Sequence, residues 1–148
     1  MAIDFTVRQM KRSDIDAVSV IEEECFSVPW SKRSILEAFS HTPWQFFVAE
    51  CQKRIVGYGG VYMILDEGQI SNIAVLSSFR KNGIAFAILD KIIEHSKTQG
   101  ASRITLELRE SNSPARALYE KCGFVQVGIR PKYYTHPTEN AILMDKNL

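Results

Sequence analysis

The chain has 148 residues, 45% of them hydrophobic, and 18 basic against 17 acidic side chains leave a net charge of +1. That length can bury one good core and leaves little for a second, so one domain over residues 1–148 is expected, with no electrostatic footprint for direct nucleic-acid binding. Cys25, Cys51 and Cys122 form neither a paired framework nor a metal-ligand spacing, which fits a reducing compartment and no metal site.

In chain order, residues 1–14 hold Asp4, Arg8, Lys11 and Arg12 and no apolar core. No apolar run is long enough to span a bilayer, so neither a signal peptide nor a membrane segment is expected and the cytoplasm is the default. Ile3, Phe5 and Val7 alternate as a first strand. Ser13, with Asp16 three residues on, reads as a capping box opening a helix that buries Ile15, Val18 and Ile21, in a region that Pro29 ends. Ser31 can cap a second helix carrying Ile35, Leu36 and Phe39. Phe46–Cys51 and Ile55–Leu65 read as strands around a Gln52-Lys53 turn, and Asp66-Glu67-Gly68 turns the chain into a third strand that ends at Val75. The three make an antiparallel meander.

After that strand comes a basic, glycine-containing loop, Arg80-Lys81-Asn82-Gly83-Ile84-Ala85, and then a helical pattern with Ile84, Ile88, Ile92 and His95 on one face. Such a loop leaves unpaired N–H groups at the positive end of a helix dipole, which suits a phosphate or pyrophosphate. Gly83 lets the backbone approach an anion, small Ala85 does not block it, and Arg80 and Lys81 add charge. Taken alone, the loop is weak evidence, because most such loops are simply turns.

Leu106 and Leu108 alternate with Glu107 and Arg109 in a half-buried strand, so Glu107 points away from the leucines. Ser111-Asn112-Ser113-Pro114 starts a helix to about Cys122, with Ala115, Leu118 and Cys122 on its buried stripe, Tyr119 near the edge of that stripe, and Gly123 ending it. A carboxylate and a phenol converging on one cleft would make a base and an acid. Equally, Glu107 reads as a solvated strand residue and Tyr119 as a packing tyrosine. The chain closes with strands near Phe124–Arg130 and Ala141–Lys146, around a loop at Tyr133–Thr138.

The two segments in this order resemble the acetyl-CoA-dependent N-acetyltransferases of the GNAT superfamily, with their R/Q-x-x-G-x-G/A loop. The likeness is greatest to the RimI-type ribosomal-protein-alanine N-acetyltransferases. It rests on Cys25-Phe26-Ser27-Val28-Pro29-Trp30-Ser31, Asn72-Ile73-Ala74-Val75, Arg80 to Ala85, Leu106-Glu107-Leu108-Arg109 with Ser111-Asn112, Leu118-Tyr119-Glu120 with Gly123-Phe124, Tyr133-Tyr134, and Glu139-Asn140-Ala141 before Met144. The resemblance implies an α/β (α+β) fold: a mixed, largely antiparallel central sheet flanked by helices. It also implies acetyl-CoA as cosubstrate, held by the Arg80 to Ala85 loop, by the backbone of Ile73, Ala74 and Val75, and by Asn112. Glu107 and Tyr119 would be the base and acid, Trp30, Tyr133 and Tyr134 the substrate walls, and the N-terminus of a small-subunit ribosomal protein the acceptor. Ser77 departs from the usual proline, Ala85 from glycine, Leu108 from valine and Asn140 from aspartate; the last removes a charge near the C-terminal strands and bears on acceptor choice. Other N-termini, protein lysines or a small amine are alternative acceptors, and a noncatalytic acyl-CoA-binding module is the reading from another class.

The chemistry so implied is direct attack of an amine on the acetyl thioester. At pH 7 about a tenth of α-amines but only ~0.04% of lysine amines are neutral, so one carboxylate is enough help for an N-terminus. The remaining conspicuous residues, Trp44, His41, His95, His136 and Cys122, are expected to pack or to sit in loops.

Overall fold

The computed structural model describes residues 3–41 and 43–148. Its first strand, β1 (Thr6–Gln9), starts later than the alternation predicts, because the ladder begins at the Thr6–Glu50 pair; Ile3 and Phe5 lie before it and pack against the core. A 3-10 turn over Arg12–Asp14 leads into α1 (Ile15–Cys25), which buries Ile15, Val18 and Ile21 as expected. The predicted box of Ser13 and Asp16 does not form. Asp14 caps the turn instead, accepting Lys11 N–H at 2.8 Å, and it is fixed there by Arg8 at 2.8 and 3.0 Å. Burial pushes the Asp14 carboxyl up, but the hydrogen bonds from Arg8 and Lys11 outweigh it and hold the group below the usual range.

Ser31 caps α2 (Lys32–Phe39) as expected, its Oγ accepting Ser34 N–H at 3.1 Å. The meander is β2 (Trp44–Cys51), β3 (Arg54–Ile64) and β4 (Glu67–Val75). Gln52 and Lys53 both take positive φ, 50° and 64°, the geometry whose twist suits a two-residue hairpin. The next turn is Leu65-Asp66, one step earlier than predicted, since Glu67 and Gly68 already pair with Ile64 and Met63. Then follow α3 (Ile84–Thr98), β5 (Arg103–Arg109), α4 (Ser113–Lys121), β6 (Val125–Tyr134) and β7 (Glu139–Asn147). Tyr133 and Tyr134 therefore end a strand rather than open a loop, and the turn is confined to 135–138. Among the described residues no helix is long and apolar enough to cross a membrane.

The seven strands form one sheet in the order β1-β2-β3-β4-β5-β7-β6. β3 is covered on both faces: Tyr58 reaches α1, while Gly57 and Gly59 lie under Ile84, Ile88 and Ile92 of α3. A Cβ built on Gly59 would sit 2.7 Å from Ile88 Cγ2, inside any allowed contact, so the close seat of α3 depends on this glycine. Gly59→Ala is expected to cost about 1–3 kcal/mol of unfolding free energy by overpacking, read as a lower urea midpoint at unchanged m. An unshifted midpoint would mean that α3 rides higher on the sheet than described. The buried stripe of α3 ends at Ser96, whose Oγ binds Ile92 O at 2.8 Å; His95, expected on that stripe, is half-buried and meets Phe47 edge-on at 5.8 Å.

Every neighbouring pair of strands is antiparallel except β4 and β5. Those two pair only where Glu67–Gln69 meets Arg103–Thr105. Beyond that point β4 runs on to Val75 and β5 to Arg109 without a shared ladder, and the sheet opens between them.

Candidate active site

The opening exposes backbone. Leu76 N–H donates to Val56 O at 2.9 Å, so by antiparallel alternation Ala74 and Leu76 turn their polar groups toward β3, while Ile73 and Val75 turn theirs toward the gap. The Val75 carbonyl is taken by Arg80 Nε at 3.0 Å and Cys25 Sγ at 3.5 Å. That bends Arg80 back onto the strand, leaving Lys81 as the cation that projects from the loop. Asn82 likewise shapes the loop, donating its Nδ2 to the carbonyls of Phe79 at 3.0 Å and Arg80 at 3.1 Å. Gly83 has φ of 81° and nothing within 4 Å of the place a Cβ would take, so the outer side of the loop is open where the first-turn amides of α3 point.

Between β4 and β5 and toward the end of β6 lies a cleft of about 980 Å³. It gathers Glu107 from β5, Tyr119 from α4, Asn112 before that helix, Ile73 from β4, Trp30 from the α1–α2 loop, and Tyr133 and Tyr134 from the end of β6. Ala74 and Val75 are buried behind this wall, and residues 80–85 stand outside it at the far end of β4. Trp30 is held by an edge-on contact with Trp44 at 5.5 Å, which in turn stacks on Phe46 at 5.2 Å. Asn112 caps α4, its Oδ1 accepting Ala115 N–H at 3.3 Å.

Period two places Arg103, Thr105, Glu107 and Arg109 on the cleft face, while Ile104, Leu106 and Leu108 are buried. The Glu107 carboxylate lies 3.2 Å from Arg130 Nη1, and Arg130 stacks over the Tyr133 ring at 5.0 Å. Burial first, then the Glu107 charge, pushes the Tyr134 phenol up to about 12; Tyr133 is raised for the same reasons. Tyr119 is not at the edge of the α4 stripe but is its buried member, 7% exposed, with Ala115, Leu118 and Cys122 only half-buried. The ring packs edge-on against Phe124 at 5.6 Å, which pulls it inward. Burial, and then the phenol of Tyr134, raises the Tyr119 hydroxyl well above the ordinary phenol value, so it stays protonated at neutral pH.

Three charged residues of this region were not singled out by pattern: Arg130, Arg109 and Glu22. Glu22 is fully buried and accepts from the Tyr58 hydroxyl, from Asn72 Nδ2 at 3.1 Å and from Trp30 N–H at 2.8 Å. One carboxylate thus ties α1, β3, β4 and the Trp30 loop together. The signal for it was a glutamate inside the Val18, Ile21, Cys25 stripe, a charge where period 3.6 calls for an apolar residue. Glu22→Ala leaves the buried Tyr58 hydroxyl and the half-buried donors of Asn72 and Trp30 without their acceptor and is expected to cost about 2–5 kcal/mol in denaturant unfolding. A loss under ~0.5 kcal/mol, the range of a surface change, would mean water replaces the carboxylate.

A sheet that opens beside an anion-ready helix start, with a carboxylate and a buried phenol across the cleft, can seat an extended ligand with an anionic end next to a candidate base and acid. The sequence profile described as "Acetyltransferase (GNAT) family" matches residues 15–124, and the chain belongs to that family of N-acetyltransferases. It is 35% identical to the "[Ribosomal protein bS18]-alanine N-acetyltransferase" of Haemophilus influenzae, over 93% of this chain and 95% of that protein. The crystal structure of the ribosomal-protein-S18-alanine N-acetyltransferase from Escherichia coli superposes with a TM-score of 0.90 at 29% identity, covering 97% of this chain and 94% of that one. Ard1 from Thermoplasma volcanium superposes at 0.92 with 26% identity, covering 99% of each.

The family uses acetyl-CoA, and the residues present fit it. The edge-strand polar groups of Ile73 and the N–H of Val75 suit the amides of a pantetheine arm, and the open face over Gly83 suits a pyrophosphate.

Proposed function

We propose that this enzyme acetylates the N-terminal alanine amine of a small-subunit ribosomal protein by direct attack, in the cytoplasm where that acceptor is made. The observation that carries the mechanism is the presence of Glu107 and Tyr119 on one cleft walled by Trp30, Tyr133 and Tyr134. The names borne by the bS18-alanine N-acetyltransferases support the acceptor. The gap-facing groups of Ile73 and Val75 would hold the pantetheine arm along β4, with Ala74 between them paired to β3; the amides of residues 81–85 with Lys81 would hold the pyrophosphate, and Asn112 would lie beside the thioester. Arg80 acts by fixing the end of β4.

Acetyl-CoA, when bound, supplies an activated acetyl thioester. Glu107 takes the proton of the attacking α-ammonium, directly or through one water, because only the neutral amine is a nucleophile. Tyr119 keeps a proton at its hydroxyl for the departing thiolate. The N–H of Val75 polarises the thioester carbonyl.

Asn140 does not weaken the acceptor reading. Its Oδ1 accepts Lys132 N–H at 3.0 Å and pins the β6–β7 hairpin, a bond that aspartate would make in the same way.

The test is acetyl transfer from labelled acetyl-CoA to a peptide beginning with alanine, beside a matched peptide with a blocked N-terminus and a free lysine. Turnover of the first alone is expected. Turnover of the lysine peptide alone would replace the acceptor, and tight acetyl-CoA binding with no transfer to any amine would leave a noncatalytic module.

A further inference from the structure

Arg109 ends β5 two residues beyond Glu107, so its side chain points into the same cleft. Its Nη1 donates to Pro137 O at 2.9 Å and to Glu139 Oε2 at 3.2 Å. Its Nη2 donates to Thr135 O at 2.8 Å and to Ser27 Oγ at 3.3 Å, and the guanidinium lies over the Tyr134 ring at 4.6 Å. Glu139 is itself a fixed anchor: it accepts Ser111 N–H, and Ser111 and then Arg109 hold its carboxyl below the ordinary range.

These contacts join two segments far apart in sequence. Ser27 belongs to the α1–α2 loop, with Trp30 three residues on, whereas Thr135 and Pro137 form the β6–β7 turn that follows Tyr133 and Tyr134. Both segments wall the cleft in front of Glu107. We propose that Arg109 is the positioning residue that holds the two acceptor walls at a fixed distance and so sets acceptor affinity. This rests on the acceptor site assigned above and adds the element that shapes it.

The side-chain type matters. A guanidinium presents five N–H donors in a rigid planar fork and can stack on a ring at the same time, whereas a lysine ammonium is a point charge that cannot serve four separated acceptors and a ring face. Charge alone therefore does not replace Arg109. Neither β4 nor residues 80–85 supply any of the contacts described, so the sites of the pantetheine arm and pyrophosphate stay in place; the clamp meets the coenzyme side only where Glu139 accepts Ser111 N–H, beside Asn112.

The experiment compares Arg109→Lys, Arg109→Gln and Ser27→Ala with the parent chain in two measurements. In steady-state kinetics on an alanine-starting peptide, both Arg109 variants are expected to raise the peptide KM about tenfold, the size of one lost charge-assisted hydrogen bond, with the acetyl-CoA KM unchanged. Ser27→Ala, which removes one arm of the clamp, is expected to raise the peptide KM less. In hydrogen exchange, residues 26–31 and 135–138 are expected to lose protection together in the Arg109 variants while α3 keeps its own. An unchanged peptide KM, equal rises in both KM values, full rescue by lysine, or loosening of only one segment would each overturn the proposal. If the parent chain ignores the peptide, the acceptor reading falls. The clamp is then judged by exchange and by the KM split on whichever amine the enzyme does acetylate.

Discussion

Tyr119→Phe lowers kcat by ~10²–10⁴-fold, the usual worth of a positioned general acid, and leaves acetyl-CoA affinity nearly intact. The change is surgical, because the ring that packs on Phe124 at 5.6 Å remains and only the hydroxyl is lost. The sign of the pH effect follows from burial. A phenol whose pKa is raised keeps its proton to higher pH than an ordinary tyrosine, so the acid form persists throughout the neutral range and the parent's kcat should show no alkaline fall at the ordinary value of about 10. Stopped-flow or radiometric single turnovers on the alanine peptide, with acetyl-CoA affinity measured separately, check both parts. Full turnover by the phenylalanine variant would remove Tyr119 from the proton path and point to water as the acid.

The local elements were legible where local chemistry decides them. Ser31 and Asn112 cap their helices, and the Leu106, Leu108 alternation turns Glu107 to the cleft, because each depends on neighbours within a few residues. What could not be read locally was settled by distant partners. Ser13 looks like a cap, but Asp14 wins because Arg8 grips it from β1. Tyr119 reads as an edge residue on the helical wheel, yet Phe124 draws it inside. Tyr133 and Tyr134 look like loop residues; pairing of Tyr134 with Glu139 extends β6 to include them. Glu22, Arg109 and Arg130 have partners far away in sequence, up to 82 positions for Arg109 and Ser27. No periodicity encodes such pairings. The loop at 80–85 shows both cases: Gly83 takes the left-handed conformation that its position suggests, but Arg80 turns back to Val75, which composition alone does not foretell.

Glu107→Gln is expected to lower kcat/KM for the alanine peptide by ~10²–10⁴-fold at neutral pH, again with acetyl-CoA binding retained. Glutamine keeps the shape but cannot take a proton. The ion pair with Arg130 is lost as well, but Arg130 is 51% and Glu107 29% exposed, and pairs of that kind are worth about 0–1 kcal/mol, so unfolding should barely change. That separates a chemical defect from a folding one. A residual pH dependence should also appear: without a base, the reaction must wait for amines already neutral, so activity should recover as pH rises through about 7.8, the α-amine value. Glu22, which does not line the cleft, supplies the contrast. It is fully buried, and its two oxygens accept from Tyr58, Asn72 and Trp30. Glu22→Gln should therefore act through stability and the Trp30 wall, raising the peptide KM, and should not reproduce the alkaline recovery. If that recovery follows Glu22→Gln and not Glu107→Gln, the base is the buried glutamate.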